Sequence, residues 1–204
     1  MARTLAYLLT MACGAFPALA VFAALAPWRR RRLRERGLVS ALPREGALAL
    51  FGMFCGGMAM VTLTPRWVVW SLVDWFHGSG WNGAGDPFFQ AGTVNLIPLR
   101  TLRFDPYILA GNIILFVPAG FAAALIWRGF DWRRTLAAGL CATGLIESWQ
   151  LCVGRAFDID DILLNTLGVF CGYGLWRLTR RLAPGFAEKF HVRMSEESAD
   201  ECDD

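Results

Sequence analysis

The stretch 107-YILAGNIILFVPAGFAAALIW-127 holds 21 residues without a charged side chain. About twenty apolar residues in an α-helix are needed to cross roughly 30 Å of hydrocarbon, because each residue adds about 1.5 Å. The stretch therefore predicts a membrane-spanning helix. Pro118 lies inside it, and we expect a kink there because proline removes a backbone hydrogen bond.

Four further apolar blocks of similar length lie at about residues 5–27, 45–63, 135–153 and 159–178. Of the 204 residues, 55% are hydrophobic and 18% are charged, against about 25% charged in a soluble domain. We therefore predict an all-α transmembrane bundle of about five spans, forming one membrane domain over residues 1–187. The remainder, 188–204, is an acidic tail that we expect to be disordered.

The first block has two interpretations. The tripeptide ALA at 18–20 looks like the cleavage site of a signal peptide, and cleavage there would leave four spans. However, only Arg3 precedes the block, whereas six arginines follow it between residues 29 and 36. A signal peptide carries its positive charge first. We therefore expect a retained helix and keep the cleaved leader as the alternative.

Positive charge is distributed unevenly along the chain. With five spans and an outer N-terminus, the inner segments 29–44, 128–134 and 177–204 hold fifteen of the twenty Lys and Arg residues. Cytoplasmic loops of membrane proteins carry such an excess. We predict a multi-pass protein of the cell membrane with its N-terminus outside and its C-terminus in the cytoplasm. The net charge of only +3 does not imply nucleic acid as a partner.

The second and third blocks are joined by a long connection whose role the sequence leaves open. Residues 67–76 hold four large aromatic side chains among few charges, so we expect them to lie in the membrane interface. In the preceding block, Gly52, Gly56 and Gly57 are small enough to allow close contact between helices.

Polar residues accumulate at the predicted outer ends of the last three spans. Glu147 and Gln150 share one helix face, and Asp158, Asp161 and Asn165 form a stripe on the next helix. Asp160 points elsewhere, and we expect it to cap the helix or to face water. The candidate ligand-binding residues are Asn95, Arg100, Asn112, Glu147, Gln150, Arg155, Asp158, Asp160, Asp161 and Asn165.

This polar cluster also has two interpretations. A carboxylate at the centre of a membrane helix costs about 2.5–3.5 kcal/mol on insertion scales, so Glu147 needs a partner such as Arg100 or Arg155. The aspartates can simply cap a helix, and the amides can bond across helices. We favour a polar cavity that binds a ligand, because capping takes one residue and ten are present.

Five short motifs carry a family resemblance. They are NLIPLR at 95–100, NIILFVPAG at 112–120, ESWQ at 147–150, RAFDIDD at 155–161 and NTLG at 165–168. In order and spacing they resemble the VanZ-like family over about residues 45–180, with Leu99 where phenylalanine is usual and Ala119 where a bulkier residue is common. The family is associated with lowered sensitivity to glycopeptide antibiotics, teicoplanin above all, which implies a protein of the cell envelope.

Two functions remain open from the sequence. In the first, the outer cavity binds a membrane lipid or a lipid-linked cell-wall precursor, with Arg100 and Arg155 on phosphate and the carboxylates on amines or sugar hydroxyls. In the second, Glu147 with Asp158 and Asp161 acts as acid and base on a lipid-linked substrate, or holds Mg²⁺ or Ca²⁺. No His or Cys lies in the cluster, so we expect no zinc site, and the sequence names no cofactor.

Overall fold

The computed structural model describes residues 2–81, 87–99 and 106–194, and most of these residues fold into α-helices. The predicted all-α fold is confirmed. The helices are α1 (Ala2–Ala24), α2 (Ala26–Arg34), α3 (Leu42–Leu63), α4 (Arg66–Phe76), α5 (Pro106–Ile126), α6 (Trp132–Cys152), α7 (Ile159–Leu182) and α8 (Pro184–Glu188). Four short strands accompany them: β1 (Leu38–Ser40), β2 (Val94–Asn95), β3 (Phe157–Asp158) and β4 (Val192–Met194). Of the tail predicted at 188–204, residues 195–204 lie outside the described residues, as does the candidate Arg100, whereas its first part contains the end of α8 and strand β4.

The five long helices α1, α3, α5, α6 and α7 coincide with the five predicted blocks. Among the described residues, three stretches combine the length and apolarity of a membrane span, namely Tyr7–Ala24, Leu42–Leu63 and Leu109–Ile126. Helices α6 and α7 are 21 and 24 residues long, but charged residues lower their hydropathy. The count of five spans and the orientation of the termini therefore stay predictions.

Helices α5 and α7 pack with their backbones in close approach. Glycines stand at the contact points, where a Cβ atom would overlap a carbonyl oxygen of the facing helix. Small residues allow such packing in membranes, where water does not drive helices together. The pairs are Gly120 with Val169, Gly168 with Ile113, and Gly172 with Val117.

A second glycine contact joins α1 to α3. Gly56 meets the backbone of Gly14, and Gly57 meets the carbonyl oxygen of Met11. The prediction of close packing is thus confirmed for Gly56 and Gly57. It is wrong for Gly52, which lies one turn before Gly56 on nearly the same face of α3 but has no atom of a neighbouring segment within 4 Å of a Cβ position.

The two ends of the bundle are held by different short sheets. At one end β1 pairs with β4 in antiparallel fashion, close to an ion pair of 2.7 Å between Arg29 and Glu45. At the other end β2 pairs in parallel with β3. The second pairing brings the chain before α5 against the turn between α6 and α7, where the predicted polar cluster lies.

Helix α4 occupies the stretch predicted for the membrane interface. It buries Val69 and Ser71 and exposes Trp70, Trp75 and Phe76. An amphipathic helix with exposed aromatic rings suits an interfacial position. Its placement in the interface plane stays a prediction.

Candidate functional site

Backbone hydrogen bonds fix the frame of the polar cluster. The N–H of Gly92 donates to the carbonyl of Leu151 at 2.8 Å, and the N–H of Phe157 donates to that of Thr93 at 2.8 Å. The parallel pair of β2 and β3 continues from these bonds and sets Asn95 opposite Asp158. Two polar residues that are 63 positions apart in sequence are thereby brought side by side.

Asp158 is the centre of a hydrogen-bond network. The side-chain amide of Asn95 donates to Oδ2 of Asp158 at 3.0 Å. Oδ1 of the same carboxylate accepts the backbone N–H of Asp160 at 3.0 Å, so Asp158 is the N-cap of α7. The backbone N–H of Asp158 in turn donates to Oε2 of Glu147 at 3.0 Å. One residue therefore links β2, the end of α6 and the start of α7.

Asp160 has a different role from the predicted one. It is only 2% exposed, and it accepts a hydrogen bond from the backbone N–H of Leu99 at 2.5 Å. Leu99 adopts a φ of 62°, which is uncommon for a residue other than glycine and directs its N–H inward. The expectation that Asp160 caps α7 or faces water is wrong, because Asp158 provides the cap and the turn at Leu99 covers Asp160.

The remaining polar residues lie on helices α5, α6 and α7. The amide of Asn112 donates to Oδ1 of Asp161 and so joins α5 to α7. Glu147, Gln150 and Asn165 are 1%, 5% and 5% exposed. The side-chain oxygen of Asn165 is buried and meets no hydrogen-bond donor among the described residues.

Three carboxylates lie close together, and the positive charge of Arg155 acts on two of them, Glu147 and Asp161, without a hydrogen bond or ion pair to either. The charge of Glu147 interacts with those of Asp158 and Asp161. Each of these three groups accepts its hydrogen bonds from neutral N–H groups, not from a cation. In the part of the chain that the structure describes, ion pairs are formed by Glu35 and Glu45 and by none of these three. The described site therefore gathers three carboxylates with acceptor positions that no basic side chain of the described residues occupies.

Arg155 binds backbone rather than a carboxylate. Its Nη1 donates to the carbonyls of Val61 at 2.9 Å and Thr62 at 3.3 Å, in the last turn of α3. Such carbonyls have no partner within their own helix, and a cation there complements the helix dipole. Burial lowers the pKa of the Arg155 guanidinium, and the nearby charge of Arg66 lowers it further. An arginine still keeps its charge at neutral pH. Its Nε is buried without a partner among the described residues.

Two side-chain contacts of α6 were not predicted from the sequence. Trp149 donates from Nε1 to the carbonyl of Leu63 at 2.7 Å, a second link from α6 to the end of α3. Deeper in the bundle, the hydroxyls of Thr143 and Thr166 lie 3.3 Å apart between α6 and α7. Their one signal in the sequence is a hydroxyl on an otherwise apolar helix face.

We expect Trp149→Phe to lower the free energy of unfolding by about 1 kcal/mol, the net contribution of one hydrogen bond. The aromatic ring is retained, so the loss reports the bond to α3. Thermal unfolding of the purified protein in detergent measures it. Trp132→Phe is the control, because Trp132 is half exposed at the opposite end of α6. Equal midpoints for the two variants would contradict a stabilising bond to Leu63.

Nine of the ten candidate residues lie in the described part of the chain, and hydrogen bonds that involve a side chain join six of them to one another. Whether the set forms one binding site stays a prediction. Among the described residues, no group of three or more His, Cys, Asp or Glu side chains is arranged to hold a metal ion. The members of the larger network are Asn95, Glu147, Asp158 and Asp160, and the separate pair is Asn112 with Asp161.

Comparison with known proteins gives one match. The family model described as VanZ/LLP1 matches residues 51–180, which is more than half of the chain. No curated protein and no solved structure matches. The matched region contains β2, β3, helices α4 to α6 and all but the last two residues of α7, and it includes every candidate residue.

Proposed function

The chain belongs to the VanZ/LLP1 family, and from that premise we propose that it is a membrane protein whose outer polar site binds a headgroup carrying an ammonium or hydroxyl group. The headgroup belongs to a membrane lipid or to a lipid-linked cell-wall precursor. The family resemblance links such a protein to glycopeptide resistance, and binding an envelope component is a role compatible with that link.

The observation that carries the proposal is the cluster of Glu147, Asp158 and Asp161, none of which forms an ion pair among the described residues. An ionised carboxylate has two oxygens and about four acceptor positions. In the described structure Glu147 and Asp161 each use one of these positions, and Asp158 uses two. Neighbouring carboxylates repel one another, and a bound cation offsets that repulsion. An ammonium group supplies both the charge and up to three N–H donors.

The location of the site favours a headgroup over a free solute. The carboxylates stand at the ends of α6 and α7, in a domain whose helices have membrane-spanning length. We take this end as the outer one from the distribution of Lys and Arg. A lipid headgroup is held at this depth by the bilayer itself, so its local concentration is high.

The arginines contribute less than the sequence indicated. Arg155 commits Nη1 to the end of α3, so its contact with a phosphate is confined to its other N–H groups. Arg100 lies outside the described residues. The carboxylates therefore carry the proposed selectivity, and a phosphate contact is secondary to it.

The test is lipid binding by Asp161→Asn and Glu147→Gln, measured by native mass spectrometry on the purified full-length protein. The probes are phosphatidylethanolamine and phosphatidylglycerol with identical chains. We expect the wild type to prefer the amine-bearing lipid and each variant to bind it about tenfold more weakly, since a charge-assisted hydrogen bond contributes about 1.5–3 kcal/mol. The amides preserve shape and can still accept the bonds from Asn112 and from the Asp158 N–H.

Asp131→Asn is the matched control, because Asp131 is the N-cap at the opposite end of α6. Equal binding of the two lipids by the wild type, or an equal loss in the Asp131 variant, would count against the proposed site. A change in the mass of the bound lipid over time would instead support the second function, an enzyme that acts on a lipid-linked substrate.

A further inference from the structure

An apolar groove of about 420 Å³ lies between α3, α5 and α6, with α7 at its floor. Met58, Phe116 and Val169 form its buried part. Two hydroxyl side chains also line it, but both bond within or next to their own helix: Thr62 donates to the carbonyl of Met58 at 2.8 Å, and Thr135 to that of Asp131 at 2.7 Å. The groove therefore offers an occupant dispersion contacts and little hydrogen bonding.

The groove opens sideways, between α3 and α6. Cys55 of α3 and Ala138 and Ala142 of α6 line it and are exposed. Since α3 has the length and apolarity of a membrane span, this opening faces the hydrocarbon of the bilayer. On α3 the lining extends from Phe51 to Leu63, about 18 Å at 1.5 Å per residue. Half of the hydrocarbon core is about 15 Å. The groove therefore has about the length of one leaflet.

One end of the groove lies directly below the polar site. Phe116 is one helical turn from Asn112, and Ile146 is adjacent to Glu147. The lining residue Thr62 gives its carbonyl to Arg155. A channel for hydrocarbon thus ends at a group of carboxylates, which is complementary to a molecule with an apolar chain and a cationic end.

We propose that the groove binds one acyl chain of an amine-headed phospholipid, whose ammonium group is held by Glu147, Asp158 and Asp161. The inference rests on the proposed function and extends it from a headgroup to a whole class of ligand. The bound lipid enters laterally from the leaflet, places one chain between α3 and α6, and leaves its other chain in the bilayer.

The experiment fills the groove with a side chain. Ala142→Phe places a ring in it, and Ala137→Phe places the same ring at an exposed position of α6 that does not line it. Native mass spectrometry of the purified full-length protein follows phosphatidylethanolamine with two sixteen-carbon chains and with two eight-carbon chains. We expect the wild type and Ala137→Phe to bind the long-chain lipid at least tenfold more tightly than the short-chain lipid. Ala142→Phe should lose most of that preference.

The outcomes separate the groove from the headgroup site. The groove proposal is overturned if Ala142→Phe and Ala137→Phe show the same chain-length preference, or if the wild type shows none. In that case the proposed function is still supported if Asp161→Asn loses the preference for phosphatidylethanolamine. The opposite result is also possible: Ala142→Phe alone loses the chain-length preference, and Asp161→Asn keeps its headgroup selectivity. That result supports the groove and overturns the assignment of the headgroup to the carboxylates. If Ala142→Phe does not fold, Ala138→Phe, one turn away on the same face, provides the same comparison.

Discussion

Gly172→Ala is expected to destabilise the protein by about 3 kcal/mol or more, whereas Gly174→Ala, two residues along the same helix, should leave stability unchanged or slightly raised. A Cβ atom at Gly172 would overlap the carbonyl oxygen of Val117 and press on the backbone nitrogen of Phe121. Both are backbone atoms of α5, so no side-chain rotation relieves the clash. Overpacking typically costs about 1–3 kcal/mol, and a backbone clash belongs at the upper end.

Gly174 is a matched control, because an added Cβ at this position meets nothing within 4 Å. Alanine also has the higher helix propensity, by about 1 kcal/mol. The measurement is the fraction of monodisperse protein after a series of heating steps in detergent, read by size-exclusion chromatography with circular dichroism. Equal midpoints for the two variants would show that α5 and α7 do not approach as closely as described.

The α5–α7 contact also determines the geometry of the polar site. Asn112 on α5 binds Asp161 on α7. Asn112 is adjacent to Ile113, and Asp161 is about two turns from Gly168, the two residues that form the nearest glycine contact. A substitution that separates the two helices therefore lengthens the bond between Asn112 and Asp161. We expect any folded Gly172→Ala protein to bind phosphatidylethanolamine more weakly, although residue 172 lies far from the carboxylates along α7.

Much of the fold is predictable because the length of an apolar block is a local property of the sequence. The block at 107–127 became α5, Pro106–Ile126, since an α-helix satisfies its own backbone groups wherever hydrocarbon surrounds it. The point at which two helices come closest is not a local property. Gly56 contacts α1, whereas Gly52, one turn earlier on nearly the same face, does not, and the difference depends on the course of a neighbouring helix that the sequence of α3 cannot specify.

In the site, too, local features could be predicted from the sequence and contacts with distant segments could not. The spacing of Glu147, Asp158 and Asp161 was enough to predict that these carboxylates gather at one end. The partners of Asp160 and Arg155 were not predictable, because both are backbone groups of distant segments: the N–H of Leu99 and the carbonyls at the end of α3. A backbone group carries no mark in the sequence, so the sequence suggests only the arginine side chains as partners for Glu147.

Arg155→Ala is expected to lower the free energy of unfolding by about 3 kcal/mol, because it removes two charge-assisted hydrogen bonds and leaves the last carbonyls of α3 without a partner. It also removes the positive charge of Arg155, which acts on both Glu147 and Asp161. Arg155→Lys keeps the charge but not the planar set of N–H donors, so an intermediate loss should follow. Thermal unfolding in detergent measures all three proteins.

Arg133→Ala is the control for a general loss of charge, since Arg133 is exposed at the opposite end of α6. Lipid binding decides between two roles for Arg155. If the side chain holds α3 against the turn, Arg155→Lys should lose stability while keeping its preference for phosphatidylethanolamine over phosphatidylglycerol. If stability is unchanged and affinity falls equally for both lipids, Arg155 instead contacts the phosphate that they share. That result would restore the role predicted from the sequence and assign the anchoring of α3 to Trp149.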